Sequence, residues 1–313
     1  MSDTRRTRVR ALAKINLDLR VLGKRPDGFH ELRTIFQTIS LHDALEIAYT
    51  PGRKTTIDLS DHLNIPDNLV IKAARLAMDA MRATGAVDMR LTKRIPMGAG
   101  LGGGSSDAAA VLLALPALAG RPLDLRKLSE IGQQLGSDVP FFLLGGTAAG
   151  IGRGTELFPL PDMPPKQGVL VAPGLHVNTA QAYRDLSPHL TTELQQNKIF
   201  SFQSHTFGWG SEEPFENDFE TVVFEQHRGL ALWKKRLKRA GASVALMTGS
   251  GSALFGLFDS AAAAARAMEL LGNEGNTHRI SLVSRSRYRA TWWRALDGLI
   301  QPKTWPPRTR DAR

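Results

Sequence analysis

The segment PMGAGLGGGSSD at residues 96–107 constrains the fold of this chain more than any other stretch. It lies between a predicted strand at 87–91 and an alanine-rich predicted helix at 105–119. Five glycines within 98–104 exceed what an ordinary turn needs, and they allow the backbone to approach a ligand closely. Exposed N–H groups at the start of a helix form an anion site that requires no lysine. The segment therefore predicts a phosphate-binding loop.

Two known loop types can be compared with this segment. A Walker A loop ends in Gly-Lys-Ser/Thr, whereas glycine precedes Ser105 here. The spacing Gly98-x-Gly100-x-x-Gly103 matches the dinucleotide fingerprint of a nicotinamide-dependent oxidoreductase. That fingerprint requires a second parallel strand that ends in an acid about 20 residues later. Asp124 stands at this distance, but a helix N-cap explains it better, so the dinucleotide interpretation is the weaker alternative.

The formal net charge of +10 is concentrated at the two ends of the chain. Residues 1–10 contain four arginines against one acid, and residues 284–313 contain eight basic against two acidic residues. The sequence between them is almost neutral. Because a nucleic-acid-binding domain more typically carries a basic stripe on its folded surface, this distribution favours solvated basic ends and argues against a nucleic-acid partner.

Length and composition indicate a globular protein of two domains. The chain has 313 residues, of which 42% are hydrophobic, and one core rarely grows to that size. It has no cysteine, which excludes disulfides and thiolate chemistry. The longest apolar run, at 108–119, is shorter than the roughly 20 residues that span a bilayer. No apolar segment follows the N-terminal arginines as in a secretory signal, so we expect a cytoplasmic protein with no membrane partner.

In the first half, the alternation of apolar and polar residues at 15–21 predicts a half-buried strand with Lys14, Asn16 and Asp18 on one face. Asn68 is expected to cap a helix that ends near Gly85. The other expected elements are strands at 34–47, 55–59 and 87–91, helices at 105–119 and 125–135, and a hairpin at 145–160.

Prolines between 159 and 165 mark the expected linker from a first domain at 1–160 to a second at 166–290, followed by a basic extension at 291–313. Some of the tryptophans of that extension are expected to cover the second domain. The mixture of helices with antiparallel strands predicts an α+β fold. The second half is expected to contain strands at 169–172, 244–247 and 254–258, helices at 230–239 and 261–271, a last strand from Leu282, and a loop at 191–213.

Phosphoryl transfer from a nucleotide requires a carboxylate near the attacking hydroxyl and a cation near the transferred group. Asp138, in GSDVPFF at 136–142, is the best carboxylate candidate, with an ordinary N-cap as the alternative. Lys14 is the matching cation, with a solvated strand face as the alternative. A second glycine loop, TGSGS at 248–252, can close over the site from the second domain.

Three segments resemble, in order, the signature motifs of the GHMP small-molecule kinases: AKINL at 13–17, the loop at 96–107 and MTGSGS at 247–252. The resemblance implies a two-domain GHMP-kinase-like architecture. Its N-terminal nucleotide-binding domain would be ribosomal-protein-S5-like and its C-terminal α+β domain ferredoxin-like, with the site in the cleft between them.

Within this superfamily the sequence is similar to the 4-diphosphocytidyl-2-C-methyl-D-erythritol kinase family. The matching segments are GKRPDGFHEL at 23–32, GGGSSD at 102–107, GSDVPFF at 136–142 and NDFE at 217–220. The resemblance implies ATP-dependent phosphorylation of the 2-hydroxyl of the cytidyl-linked methylerythritol, in the non-mevalonate route to isoprenoids. Another GHMP-type acceptor is the alternative. ATP and Mg²⁺ are the implied cofactors, and a monomer or weak homodimer is expected.

The resemblance also assigns residues by position. Asp138 would be the base, with Lys14 as its partner near the acceptor hydroxyl. Apart from the resemblance, Ser106 is a candidate ligand for Mg²⁺ because its hydroxyl stands in the first turn of the predicted helix. On the acceptor side, Asn16 and Thr179 would contact the substrate, while Phe29 would stack on cytosine and His30 would hydrogen-bond its edge. The family more often has tyrosine at position 29, so stacking is retained and a phenolic hydrogen bond is lost. The residues implied to hold the triphosphate are Pro96, Gly98, Gly100, Leu101, Gly102, Gly103, Gly104, Ser105 and Ser106.

Overall fold

The computed structural model describes residues 4–190, 198–199, 202–206, 209, 214–272, 274–301 and 303–309. Most of the loop predicted at 191–213 lies outside the described residues. Two sheets, one on each side of the prolines between 159 and 165, organise the described residues. Helices and largely antiparallel strands occur in both parts, so the predicted α+β fold is confirmed.

The first sheet is built around two long strands. β1 (Arg5–Lys24) pairs antiparallel with β2 (His30–Pro51). β3 (Thr56–Asp61) and β4 (Gly85–Thr92) extend the sheet beyond one half of β2, and β5 (Thr147–Gly152) and β6 (Glu156–Pro159) beyond the other half. The β5–β6 pair is the hairpin that was predicted at 145–160.

The helices of the first part pack on this sheet. Asn68 caps α1 (Leu69–Met81) as predicted, because its side chain accepts a hydrogen bond from the N–H of Val70. Gly85 does not end this helix: the C-cap is Arg82 in the left-handed conformation, and Gly85 begins β4. The helices are α1 (Leu69–Met81), α2 (Gly103–Ala119), α3 (Leu125–Leu135) and α4 (Val139–Leu144).

β1 is longer and more deeply buried than the predicted half-exposed strand. Residues 11–22 are buried on both faces. Ile15 and Leu17 pack in a cluster that includes residues of the second sheet. The polar side chains of Lys14, Asn16 and Asp18 are also covered, so the solvated strand face considered for this segment is wrong.

The second sheet is antiparallel, with strand order β10-β7-β9-β8. Its strands are β7 (Gln167–Val171), β8 (Val244–Met247), β9 (Leu254–Phe258) and β10 (Thr277–Ser281), so the last strand ends just before Leu282 rather than beginning there. The helices are α5 (Thr179–Leu186), α6 (Phe219–Gln226), α7 (Arg228–Arg239) and α8 (Ala261–Leu271). None of the helices in the described part of the chain is long and apolar enough to cross a membrane.

The described parts of the two basic ends belong to the folded body rather than to tails, contrary to the prediction, although several of their arginine side chains are exposed. Arg5 to Arg10 belong to β1, and a final helix, α9 (Arg285–Ala295), crosses the boundary predicted at 290. Trp292 is buried in the cluster of the first part, and Trp305 donates from Nε1 to the carbonyl of Leu143 at 2.9 Å. These tryptophans therefore cover the first part of the molecule and not the second, because α9 returns to β1.

Because of this packing, Trp292→Ala is expected to destabilise the protein by about 3–5 kcal/mol, the usual cost of removing a buried large aromatic side chain. Trp292 is only 2% exposed. Urea unfolding followed by far-UV circular dichroism measures the effect. Leu270→Ala is the control, since Leu270 is 72% exposed and its loss is expected to cost less than about 0.5 kcal/mol. Equal stabilities of the two variants would contradict this role for α9.

Candidate active site

Lys14 lies at an irregularity of β1, where the register with β2 shifts. Its backbone N–H donates to the carbonyl of Leu101 at 3.1 Å, which joins the strand to the glycine loop. Its Nζ donates to Oδ1 of Asn16 at 2.7 Å and lies 3.5 Å from Oδ2 of Asp138. Since Lys14 is 3% exposed, these partners compensate a buried charge and hold the ammonium in one place.

Asp138 stands immediately before α4 but does not cap it. Its side chain makes no capping hydrogen bond to the helix, so the ordinary N-cap considered from the sequence does not describe this residue. The carboxylate faces Lys14 and remains one-third exposed. A carboxylate beside a lysine and open to a cavity can accept a proton from a bound hydroxyl.

The glycine loop connects β4 to α2, and the helix starts at Gly103, two residues earlier than predicted. Gly100 has a φ of +79°, and a Cβ at this position would lie 2.2 Å from the carbonyl oxygen of Thr248. Gly102 has a φ of +68°, and its Cβ would lie 2.8 Å from the ring of Phe142 and 3.2 Å from Cγ of Lys14. Both positions therefore require glycine, and they bring the loop against Lys14 and the second domain.

The second glycine loop, which lies in the second half of the chain, contacts both β1 and the first glycine loop. The hydroxyl of Thr248 accepts from the N–H of Asn16 at 3.0 Å and lies 3.2 Å from the carbonyl of Gly100, to which it can donate. Asn217 holds this loop in place by donating from Nδ2 to the carbonyls of Met247 and Gly249. All three motif segments thus meet at one point.

The predicted acceptor-side residues line one cavity of about 800 Å³ between the two domains. Lys14, Asp138 and the second glycine loop belong to its lining. The structure therefore brings together residues from well-separated segments of the chain. The predicted residues in its lining are Lys14, Asn16, Phe29, His30, Gly100, Gly102, Asp138 and Thr179.

Aromatic side chains also line this cavity. Phe29 is 49% exposed, and the guanidinium of Arg153 lies 3.4 Å from its ring centroid. His30 stacks on Tyr183 with ring centroids 4.5 Å apart, and its Nε2 lies 3.2 Å from the hydroxyl of Ser187. Partial burial, reinforced by a nearby lysine, lowers the pKa of His30, so its ring is neutral at physiological pH.

Sequence reasoning missed Tyr183 and Arg153, which also line the cavity. Burial raises the pKa of the Tyr183 phenol, with a smaller contribution from Asp138, so it stays protonated. A signal for Tyr183 was present, because it follows Thr179 by four residues on α5 and therefore lies on the same helix face. Arg153 follows the hairpin strand β5 and had no comparable signal.

The outer side of the glycine loop borders a second cavity of about 430 Å³. Its walls combine loop backbone with apolar side chains, among them Ile65, Ile95 and Met97. The predicted loop residues in its lining are Pro96, Gly98, Gly100, Leu101, Gly102, Gly103, Gly104 and Ser105. Ser106 does not line it: its hydroxyl is buried and donates to the carbonyl of Leu12 at 2.7 Å.

A buried charge cluster supports the base of the loop. Lys93 forms ion pairs with both Asp43 and Asp107, and Asp43 also accepts from the N–H of Ile95 at 2.8 Å. Burial, together with the nearby Asp43 carboxylate, outweighs Lys93 and raises the pKa of Asp107 to about 7. The cluster fixes the end of β4 relative to α2, and hence the two ends of the loop.

The topology also excludes the dinucleotide fingerprint considered for this loop. After α2 come α3 and α4, and the next strand, β5, pairs antiparallel with β2. A dinucleotide fingerprint requires a parallel strand there. Asp124 caps α3 by accepting from the N–H of Lys127 at 2.7 Å, as expected of an N-cap. The nicotinamide interpretation is therefore wrong.

Comparison with known proteins agrees with this geometry. Residues 68–146 match the GHMP kinases N terminal domain, and residues 202–275 match the GHMP kinases C terminal domain. The chain is 72% identical over 314 residues to the 4-diphosphocytidyl-2-C-methyl-D-erythritol kinase of Solibacter usitatus (strain Ellin6076), covering 99% of each chain. It is 41% identical to the enzyme of the same name from Ralstonia pickettii (strain 12J), covering 80% of this chain and 84% of that one.

Solved structures show the same relationship. A crystal structure of a 4-(cytidine 5'-diphospho)-2C-methyl-D-erythritol kinase is 39% identical, with a TM-score of 0.74 over 88% of this chain and 98% of that one. A homoserine kinase from Cytophaga hutchinsonii shares the fold at 18% identity, with a TM-score of 0.71 over 89% of this chain and 95% of that one. The chain belongs to the 4-diphosphocytidyl-2-C-methyl-D-erythritol kinase family of the GHMP kinases.

Proposed function

We propose that this chain transfers the γ-phosphoryl group of ATP to the 2-hydroxyl of 4-(cytidine 5'-diphospho)-2-C-methyl-D-erythritol, in the non-mevalonate route to isoprenoids. The observation that carries the proposal is the single cavity whose lining combines Lys14 and Asp138 with the aromatic side chains of Phe29, His30 and Tyr183. This cavity offers both reacting groups and a binding place for a planar base.

ATP is assigned to the outer side of the glycine loop. Apolar side chains such as Ile95 and Met97 suit a purine ring, and the loop N–H groups at the start of α2 suit its phosphates. The loop separates the two cavities, and Gly100 and Gly102 belong to the lining of both. The γ-phosphoryl group can therefore reach the acceptor cavity between these two glycines.

The acceptor is assigned to the cavity between the domains. Cytosine is expected to stack on the face of Phe29 that Arg153 leaves free, with its edge toward His30. The Arg153 guanidinium is a candidate partner for the diphosphate, since planar guanidinium groups bind phosphate oxygens bidentately. Asn16 and Thr179 would then orient the methylerythritol hydroxyls near Asp138.

The chemistry follows from the Lys14–Asp138 pair. Asp138 accepts the proton of the 2-hydroxyl as its oxygen forms a bond to the γ-phosphorus, while the bond from that phosphorus to the bridging oxygen of ADP breaks. Lys14 and the loop N–H groups stabilise negative charge on the transferred group. The products are ADP and the 2-phosphorylated acceptor.

Mg²⁺ is assigned to the phosphates of ATP. The described ranges contain no group of three or more His, Asp or Glu side chains that could hold a metal. The hydroxyl of Ser106, buried against Leu12, does not fit as a ligand. Mg²⁺ in proteins often keeps several waters and depends on substrate phosphates, so the phosphates of ATP and water would supply most of its ligands here. A cytoplasmic location and a monomer or weak homodimer complete the proposal.

A direct assay tests the acceptor. ADP release should be rapid with the cytidyl-linked methylerythritol and near background with homoserine, mevalonate and galactose. Only the first of these compounds has a nucleobase that can stack on the aromatic side chains of the cavity. Comparable turnover with one of the other three compounds would contradict the proposed acceptor, but it would agree with a GHMP-type kinase that acts on a different acceptor.

Asp138→Asn should lower kcat by about 10²–10⁴-fold, the usual contribution of a general base, and leave KM for ATP within about twofold. Steady-state kinetics with both substrates measure the split. Asp124→Asn makes the same chemical change at the N-cap of α3, where asparagine caps equally well, and should leave kcat unchanged. Near-normal turnover of Asp138→Asn would remove Asp138 as the base.

Phe29→Leu should raise KM for the cytidyl acceptor about tenfold, because the loss of a stacked ring costs on the order of 1 kcal/mol or more. Phe29→Tyr keeps the ring and should behave like the parent enzyme. KM for ATP should not change in either variant. If Phe29→Leu binds the acceptor normally, the base stacks elsewhere in the cavity.

A further inference from the structure

The two basic segments of the chain meet beside the first sheet. A cavity of about 430 Å³ lies between β1, the end of β4 and the C-terminal helix α9. Arg8 and Arg10 of β1, Arg94 after β4 and Arg294 of α9 line it, together with His42. The lining residues in the described part of the chain include no acid.

The fold brings these arginines together. Arg8 and Arg10 are two residues apart on β1 and therefore project on the same face. Arg10 of β1 is paired with Ala44 of β2, and Ala44 is paired on its other side with Thr92 of β4. A small residue therefore lies between Arg10 and the segment that leads from β4 to Arg94. The Thr7 hydroxyl donates to the carbonyl of Ala295 at 2.6 Å and anchors α9 beside the strand.

These charges are poorly compensated within the protein. Arg8 has one exposed ion pair, 3.6 Å from Glu46. In the described ranges, no carboxylate lies within 4.0 Å of the guanidinium groups of Arg10, Arg94 or Arg294. Like charges held together around a concave surface repel each other, and a bound anion would offset that repulsion.

We propose that this cavity binds a small anion with two or more phosphate groups. Guanidinium groups pair bidentately with phosphate oxygens, and four positive charges around one cavity exceed the charge of about −2 that one phosphate group carries. Nucleic acid is less well matched, because the neighbouring surface of the sheet mixes Arg6 and Arg90 with Glu46 and Asp88 rather than continuing as a basic stripe.

Calorimetric titration of the full chain with tripolyphosphate at low salt tests the proposal. Wild-type protein should bind saturably, and Arg10→Ala/Arg294→Ala should weaken this binding about tenfold or more, as expected for the loss of charge-assisted hydrogen bonds. Arg239→Ala/Arg266→Ala removes the same charge from exposed positions on α7 and α8 and should bind like the wild type.

Thermal unfolding and enzyme kinetics show whether the substitutions disturb the fold or the active site. All exchanged side chains are exposed, so both double variants should keep the wild-type Tm and KM for ATP, which shows that the glycine loop is intact. Equal tripolyphosphate affinity in the two double variants overturns the proposal, as does the absence of saturable binding to wild type. Tighter binding of a short RNA, lost in Arg10→Ala/Arg294→Ala, would also overturn it, in favour of nucleic acid.

Discussion

The contact between the backbone of Gly100 and the hydroxyl of Thr248 is the constraint on which the rest of the site depends. It joins the glycine loop of the first domain to that of the second, and the same hydroxyl accepts from the N–H of Asn16. A side chain at position 100 would collide with Thr248, so the close approach exists only with glycine. Because the larger cavity lies between the two domains, this contact fixes the glycine loop beside it and, under the proposed function, would set the distance between the phosphates of ATP and the acceptor.

The buried polar side chains of β1 lie next to this contact. Lys14 and Asn16 are 3% and 2% exposed, and burying a charge without partners is costly. Each therefore has fixed partners: Asn16 and Asp138 for Lys14, and Thr34 and Thr248 for Asn16. Without these partners, the polar side chains of β1 would be unstable in an apolar core. With them, the strand is held in the arrangement that places the Lys14 ammonium beside the Asp138 carboxylate.

The parts that could be predicted from sequence are those determined locally. Asn68 and Asp124 cap helices because the capping bond spans only two or three residues.

Predictions failed where a distant segment determines the structure. The alternation in β1 indicates a half-exposed strand, yet the second domain covers its polar face, and Gly85 is needed for close contact with the carbonyl of Thr50 rather than for a helix end. Tyr183 and Arg153 enter the site only through the docking of their elements.

The charge at the ends of the chain shows most clearly that contacts between distant segments cannot be predicted from local sequence. Arg10 and Arg294 are nearly three hundred residues apart in sequence, and by composition alone each belongs to a solvated basic end. The return of α9 to β1, fixed by Trp292 in the core and by the Thr7–Ala295 hydrogen bond, places both on one cavity. Concentrating positive charge in this way opposes folding, so the packing of α9 must outweigh that repulsion unless an anion neutralises it.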